Sequence, residues 1–165
     1  MKTINFKLMC SFLYYNIGVI NLNFIWTTDL QSTTYQDALT IRKKVFVEEQ
    51  QVDLSIEIDD LEDQTFHVTG YLNEKAVATA RLYPVTATEF KVQRVAVSNT
   101  YRGQQLGQQL MKEIERFAKE NQKDTLILGA QDQAIGFYEK LGYHTYGEGF
   151  LDAGIPHHMM KKELI

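Results

Sequence analysis

Apolar positions along this chain switch between helical and alternating spacing, and the switch points divide it into elements. "NFIWTTDL", Asn23 to Leu30, predicts a strand leading to a helix start at Ser32, Thr33 or Thr34. Tyr35, Leu39, Arg42 and Phe46 recur at helical spacing, with Ala38 and Val45 widening the stripe, so a helix is predicted to about Glu49. Strands are predicted around Phe66–Leu72, Ala76–Tyr83 and Glu89–Val97, with "NEK" at 73–75 as a turn and Pro84 closing the next connection. A helix beginning near Gly107 and ending near Asn121 places Leu106, Leu110, Ile114, Phe117 and Ala118 on one face. "TLILGA" is a short buried strand. Ala134, Phe137, Tyr138 and Leu141 then form a further helical face, with Gly142 as a left-handed cap. Two last strands are predicted around Tyr143–Gly149 and His157–Lys162. The order helix, three strands, helix, strand, helix, strands predicts an α/β layer with a mixed sheet.

Between Glu48 and Asp63 the chain carries eight acidic residues and no Lys or Arg, and it reads as a loop with one short helical turn. Such a run is either a solvated face or a surface that steers a cationic ligand. Near the start, Lys2 and Lys7 precede "LMCSFLYYNIGVI", but Ser11, Asn16 and Gly18 interrupt the apolar run. It is shorter than the ~20 residues of a membrane span, and no A-x-A-like cleavage site follows. Residues 1–22 therefore read as an N-terminal extension, disordered or one extra strand, ahead of a domain over 23–165. A length of 165 residues suits one domain with its own core. The net charge of −4, with no basic cluster beyond Arg42-Lys43-Lys44 and Lys161-Lys162, argues against nucleic acid as a partner. The single cysteine, Cys10, excludes an internal disulfide and a thiolate metal site, and it fits a cytoplasmic protein.

The stretch "VQRVAVSNTYRGQQLGQQLM" joins a β-branched strand, a polar loop with Arg102 and Gly103, and a helix start. Helix starts offer unpaired amides and partial positive charge, so a phosphate is a natural guest. The spacing fits neither a P-loop, which needs Lys and Ser or Thr after its last glycine, nor a dinucleotide G-x-G-x-x-G. Taken alone, two glycines before a helix are equally turn chemistry.

"RVAV" and "YRGQQLGQQLM", followed by "AIGFYEKLGY", resemble the GNAT superfamily of acetyl-CoA-dependent N-acetyltransferases, with its R/Q-x-x-G-x-G/A loop and later F-Y-x-K-x-G-F/Y helix. The similarity extends through "IRKKVFVEEQ", "AVATARLYP" and "AGIPHHMMKK", about Phe24 to Leu164, and these outer stretches look like one bacterial subgroup. The resemblance implies a single domain with a mixed, mostly antiparallel central sheet and helices on both faces. It also implies acetyl-CoA as co-substrate, held by main chain at Val95, Ala96 and Val97 and by the loop Arg102, Gly103, Gln104, Gln105, Leu106 and Gly107. One position departs: the first glycine of the loop pattern falls on Gln105. A side chain there either crowds a pyrophosphate or lies aside, and glycine at that place is expected to cost helix stability.

In the implied chemistry a strand amide polarises the acetyl carbonyl, and the attacking amine must be neutral. For a lysine-like amine of pKa about 10.4, deprotonation at pH 7 costs about 4.6 kcal/mol. Glu57, Asp59, Asp60 and Glu89 are candidate proton acceptors, and the first three are also candidate contacts for a cationic acceptor. Tyr138 matches the family's general acid toward the CoA thiolate; read from its helical face alone, it is equally a core tyrosine. His157 and His158 are strand neighbours facing opposite ways, so they cannot chelate a metal together, and no metal is expected. His157, within "AGIPHH", is a candidate for the substrate pocket. The expected partners are a small-molecule or peptide amine and a second copy of the chain in a homodimer, with no nucleic acid and no membrane. The rival reading is a non-catalytic acyl-CoA-binding sensor. Tyr138 speaks for turnover and Gln105 for the sensor.

Overall fold

Ser32 caps the first helix, one of the three starts the polar triplet predicted. Its Oγ accepts the Tyr35 amide at 3.2 Å and fixes the reversal between β1 (Asn23–Thr27) and α1 (Thr33–Arg42). The computed structural model describes residues 20–164, so the predicted extension lies outside the described residues as far as residue 19. Its last part docks on a later helix. Gln109 donates from Nε2 to the Ile20 carbonyl at 2.5 Å and accepts the Leu22 amide at 3.0 Å.

The predicted first helix does not stay regular to Glu49. Over Lys43–Glu49 it widens into a π-helix, in which Gln50 N donates to Val45 O at 3.2 Å. The short α2 (Leu54–Glu57) follows, started by Asp53, whose Oδ1 accepts the Ser55 amide at 2.8 Å. Then come β2 (Phe66–Leu72), β3 (Lys75–Pro84), β4 (Glu89–Val97), α3 (Leu106–Glu120) and β5 (Thr125–Gln131). The predicted third helix is a 3₁₀ turn, Asp132–Ala134, running into α4 (Ile135–Glu139). Gly142, at φ +90°, closes it in the left-handed conformation as predicted. The last two strands, β6 (His144–Asp152) and β7 (Ile155–Glu163), are longer than the sequence pattern suggested. Ala153 and Gly154, at φ +49° and +77°, form a two-residue hairpin turn between them.

The sheet order is β1-β2-β3-β4-β5-β7-β6, antiparallel except where β4 meets β5. The expected mixed, mostly antiparallel sheet is present, and strand alternation explains why helices cover both faces. Val68, Ala80, Leu82 and Val92 turn to one face and pack with Leu106, Leu110 and Ile114 of α3. His67, Thr69 and Arg81 turn to the other: Thr69 Oγ1 donates to the Thr34 carbonyl at 2.9 Å, and the His67 ring lies edge-on to Tyr35. Among the described residues no helix is long and apolar enough to cross a membrane, and no group of three metal-binding side chains occurs.

Candidate active site

The sheet opens where the parallel pair β4–β5 ends. β4 and β5 pair from Glu89–Thr125 to Val92–Leu128, and beyond that Gln93 to Val97 have no partner on the β5 side. The cause lies on the opposite edge of β4, where Arg94 and Val95 together oppose Ala80 in a β-bulge. Arg94 sits at φ +55°, a conformation that costs a non-glycine residue about 1–3 kcal/mol. Its side chain is anchored in return: Nε meets Glu57 Oε2 at 2.8 Å and Nη2 donates to the Ile56 carbonyl at 2.8 Å. The bend leaves a cleft of about 360 Å³. Val95, Ala96 and Val97 form one wall, Gly129 to Gln131 the other, and Tyr138 and His157 also line it.

At the end of β4 the chain makes a 3₁₀ turn and reaches α3 with its donors free. The amides of Gly103 to Gln108 donate to no described residue, so a row of N–H groups stands at a helix start. Gly103, at φ +77°, has nothing within 4 Å of where a Cβ would be. At Gly107 the packing is close, and a Cβ there would stand 3.3 Å from Phe137 Cζ, so that ring would have to shift by a few tenths of an ångström. Leu106 is buried in the core and offers only main chain, while Gln104 and Gln105 are exposed. Arg102 lines the cleft, but its guanidinium is engaged: Nε donates to the Val97 carbonyl at 2.9 Å and Nη2 pairs with Glu49 at 2.7 Å. It ties the strand end to the π-helix.

Gln105 is the residue on which the sequence reading of the loop needs correction. It precedes α3 at φ +61°, ψ +13°, a left-handed conformation. Glycine there relieves a steric cost instead of lowering helix stability. Gln105→Gly is therefore expected to stabilise the fold by about 1 kcal/mol and, with less bulk over the open amides, to tighten CoA binding. Thermal melts and isothermal titration of both proteins measure this; a lower melting temperature or weaker CoA binding would show that the Gln105 side chain makes a contact of its own.

Tyr138 is 8 % exposed and packs edge-on against Tyr143 and Phe137. Its hydroxyl makes no hydrogen bond with any described residue, and burial pushes its pKa up to about 12. The ring belongs to the core, as its helical face suggested, and the residue also lines the cleft. His157 is nearly buried, stacks on Phe150 at 5.6 Å between ring centres, and places Nδ1 2.7 Å from the Ile155 carbonyl.

The acidic run is solvated only in part: Glu48, Glu49, Asp53, Asp60 and Asp63 are exposed, while its other three carboxylates are drawn inward. Glu57, Asp59 and Glu62 meet Arg42, Arg81 and Arg94 in one network of three carboxylates and three guanidinium groups. Glu62 is held by Arg42 Nη2 and Arg81 Nη1, each at 2.7 Å. Asp59 pairs with Arg81 Nη2 at 2.7 Å, and Glu57 with Arg42 Nε at 2.5 Å. Burial alone would raise the Asp59 pKa, but the Arg81 hydrogen bonds and charge outweigh it and hold the group at about 2. The same balance, with Arg42 foremost, keeps Glu62 below the usual carboxylate range. The charges of Glu57, Asp59 and Glu62 are spent on these arginines, while Glu48, Asp53, Asp60 and Asp63 stay exposed. Glu57 does line the cleft, with both carboxylate oxygens engaged by arginines. Asp59, Asp60 and Glu89 do not line it. The sequence offered no signal for the network, because its arginines lie on other elements.

A family model described as an acetyltransferase (GNAT) domain matches residues 30–164, and the chain belongs to that family. It is an acetyl-CoA-dependent acyltransferase. A protein named uncharacterized N-acetyltransferase YjcF, from Bacillus subtilis, is 40% identical over 129 residues, covering 78% of this chain and 91% of its own. The crystal structure of Escherichia coli ElaA has a TM-score of 0.76 at 27% identity, covering 87% of this chain and 100% of that one. A GNAT family acetyltransferase from Elizabethkingia anophelis, solved with acetyl-CoA bound, has a TM-score of 0.62 at 18% identity over 87% of this chain and 99% of that one; this likeness shows the fold alone.

Proposed function

We propose that this chain is a cytoplasmic enzyme that moves an acetyl group from acetyl-CoA to a primary amine of a small molecule or peptide, with both bound together in the cleft. The observation that carries this reading is the hydroxyl of the nearly buried Tyr138, unbonded among the described residues, on the wall of a cleft whose other wall is unpaired strand main chain. The donor fits the residues present. Amides of Gly103 to Gln108 suit the pyrophosphate, the open edge of Gln93 to Val97 suits the amide-bearing pantetheine arm, and Tyr138 stands ready to protonate a departing thiolate. Acetyl-CoA supplies an activated acyl carbon, while the protein supplies orientation, main-chain donors and proton transfer.

Acetyl-CoA presented with a panel of amines and peptides, with released thiol measured, tests the reading. At least one acceptor is expected to release thiol in step with its own acetylation, with intersecting double-reciprocal plots. Parallel plots would indicate an acetylated enzyme in place of direct attack. Tight acetyl-CoA binding without turnover of any acceptor would favour the sensor reading.

A further inference from the structure

We infer that His157 is the group that takes the proton from the attacking amine. This deepens the transferase reading above and rests on it. The Ile155 carbonyl oxygen can only accept a hydrogen bond, so the 2.7 Å contact requires the proton on Nδ1 of His157. In the neutral ring that leaves the lone pair on Nε2, which has no hydrogen-bond partner among the described residues. Nε2 is also absent from the buried atoms that lack a partner, although the residue is only 9% exposed, so what the ring shows to solvent includes this nitrogen. The residue lines the cleft. A backbone carbonyl that fixes the tautomer and a free nitrogen turned to solvent make an imidazole base in the correct state before substrate arrives.

The ring has little freedom to turn away. Phe150, its cross-strand partner in β6, stacks on it with the planes 24° apart, and Gln131 of β5 pairs with it on the other side. The ionisable groups that line the same cleft are Glu57, Lys91, Arg94, Arg102, Tyr138 and Asp152. Of the carboxylates, Glu57 has both oxygens engaged by arginines, and Asp152 lies on the exposed end of β6. His157 is thus the proton acceptor in the cleft that is nearly buried, oriented and not already paired. As the N–C bond forms and the C–S bond breaks, Nε2 takes the amine proton and Tyr138 gives its proton to the sulfur. Solvent then returns a proton from His157 to Tyr138.

Two measurements on the full chain test this. Long-range proton–nitrogen spectra of labelled wild-type protein report the tautomer of each histidine, with through-bond correlation to the assigned backbone identifying the His157 signal. The Nδ1–H form is expected, and an Nε2–H form would overturn the inference even if every His157 variant failed to fold. In the acetylation assay, His157→Gln is expected to lose about 10²- to 10⁴-fold in kcat, to bind acetyl-CoA nearly unchanged, and to lose the acid limb of the pH profile. Added imidazole should partly restore His157→Ala. Wild-type kcat in His157→Gln, or an effect confined to KM for the acceptor, would overturn the inference alone. A wild type inactive on every amine would overturn it together with the transferase reading.

Discussion

Tyr138→Phe is expected to slow turnover at least about tenfold while acetyl-CoA affinity stays nearly unchanged. A general acid acts after the donor is bound, and such groups contribute about 10²- to 10⁴-fold, with water able to substitute in part. The geometry makes this substitution unusually clean. The hydroxyl makes no hydrogen bond within the described protein, and the ring contacts with Phe137 and Tyr143 survive in phenylalanine. The melting temperature should therefore hardly move. With its pKa pushed up to about 12 by burial, the phenol stays protonated through the neutral and mildly alkaline range, so it imposes no alkaline fall in rate there. Wild-type turnover by Tyr138→Phe would return the residue to a packing role and require another donor to the sulfur.

Glu62→Ala is expected to destabilise the fold by about 3–5 kcal/mol, the cost of stranding buried charge. For a domain of this size that is a fall of roughly 6–20 °C in melting temperature. Glu62 accepts from Arg42, Arg81 and the Tyr35 hydroxyl, and both arginines are almost wholly buried. Its removal leaves two guanidinium groups short of a counter-charge in a place water does not reach. Urea or thermal unfolding measures the loss. A change below about 1 kcal/mol would mean that the network behaves as a surface ion cluster.

The parts of the fold set by local pattern were legible in the sequence. The Ser32 cap, the α3 stripe from Leu106 to Ala118, the β5 run and the left-handed Gly142 each depend on residues a few positions apart. The parts set by distant contacts were not. Glu57 finds Arg42 across 15 residues and Arg94 across 37, so its place in an acidic run with no nearby cation hides that it is buried and paired. The π-helix after Arg42 and the bulge at Arg94 border the same network, and neither has a signature in spacing. The β6–β7 hairpin was underestimated because Gly147, Gly149 and Gly154 resemble loop composition, while β6 is exposed along its length and shows no apolar alternation. At the site, the loop and Tyr138 came from the family resemblance. The left-handed Gln105 and the Nδ1 contact of His157 depend on backbone geometry that a sequence does not display.

A titration of nitrogen-labelled protein with acetyl-CoA, followed by amide NMR, tests the central claim most directly. The largest shifts are expected at Gln93 to Val97, the strand edge left open by the parting of β4 and β5, and at Gly103 to Gln108, the free amides at the start of α3. NAD and ATP should leave these signals nearly in place. Shifts concentrated away from both segments, or none at millimolar acetyl-CoA, would contradict the assignment of this cleft as the place where the acetyl donor binds.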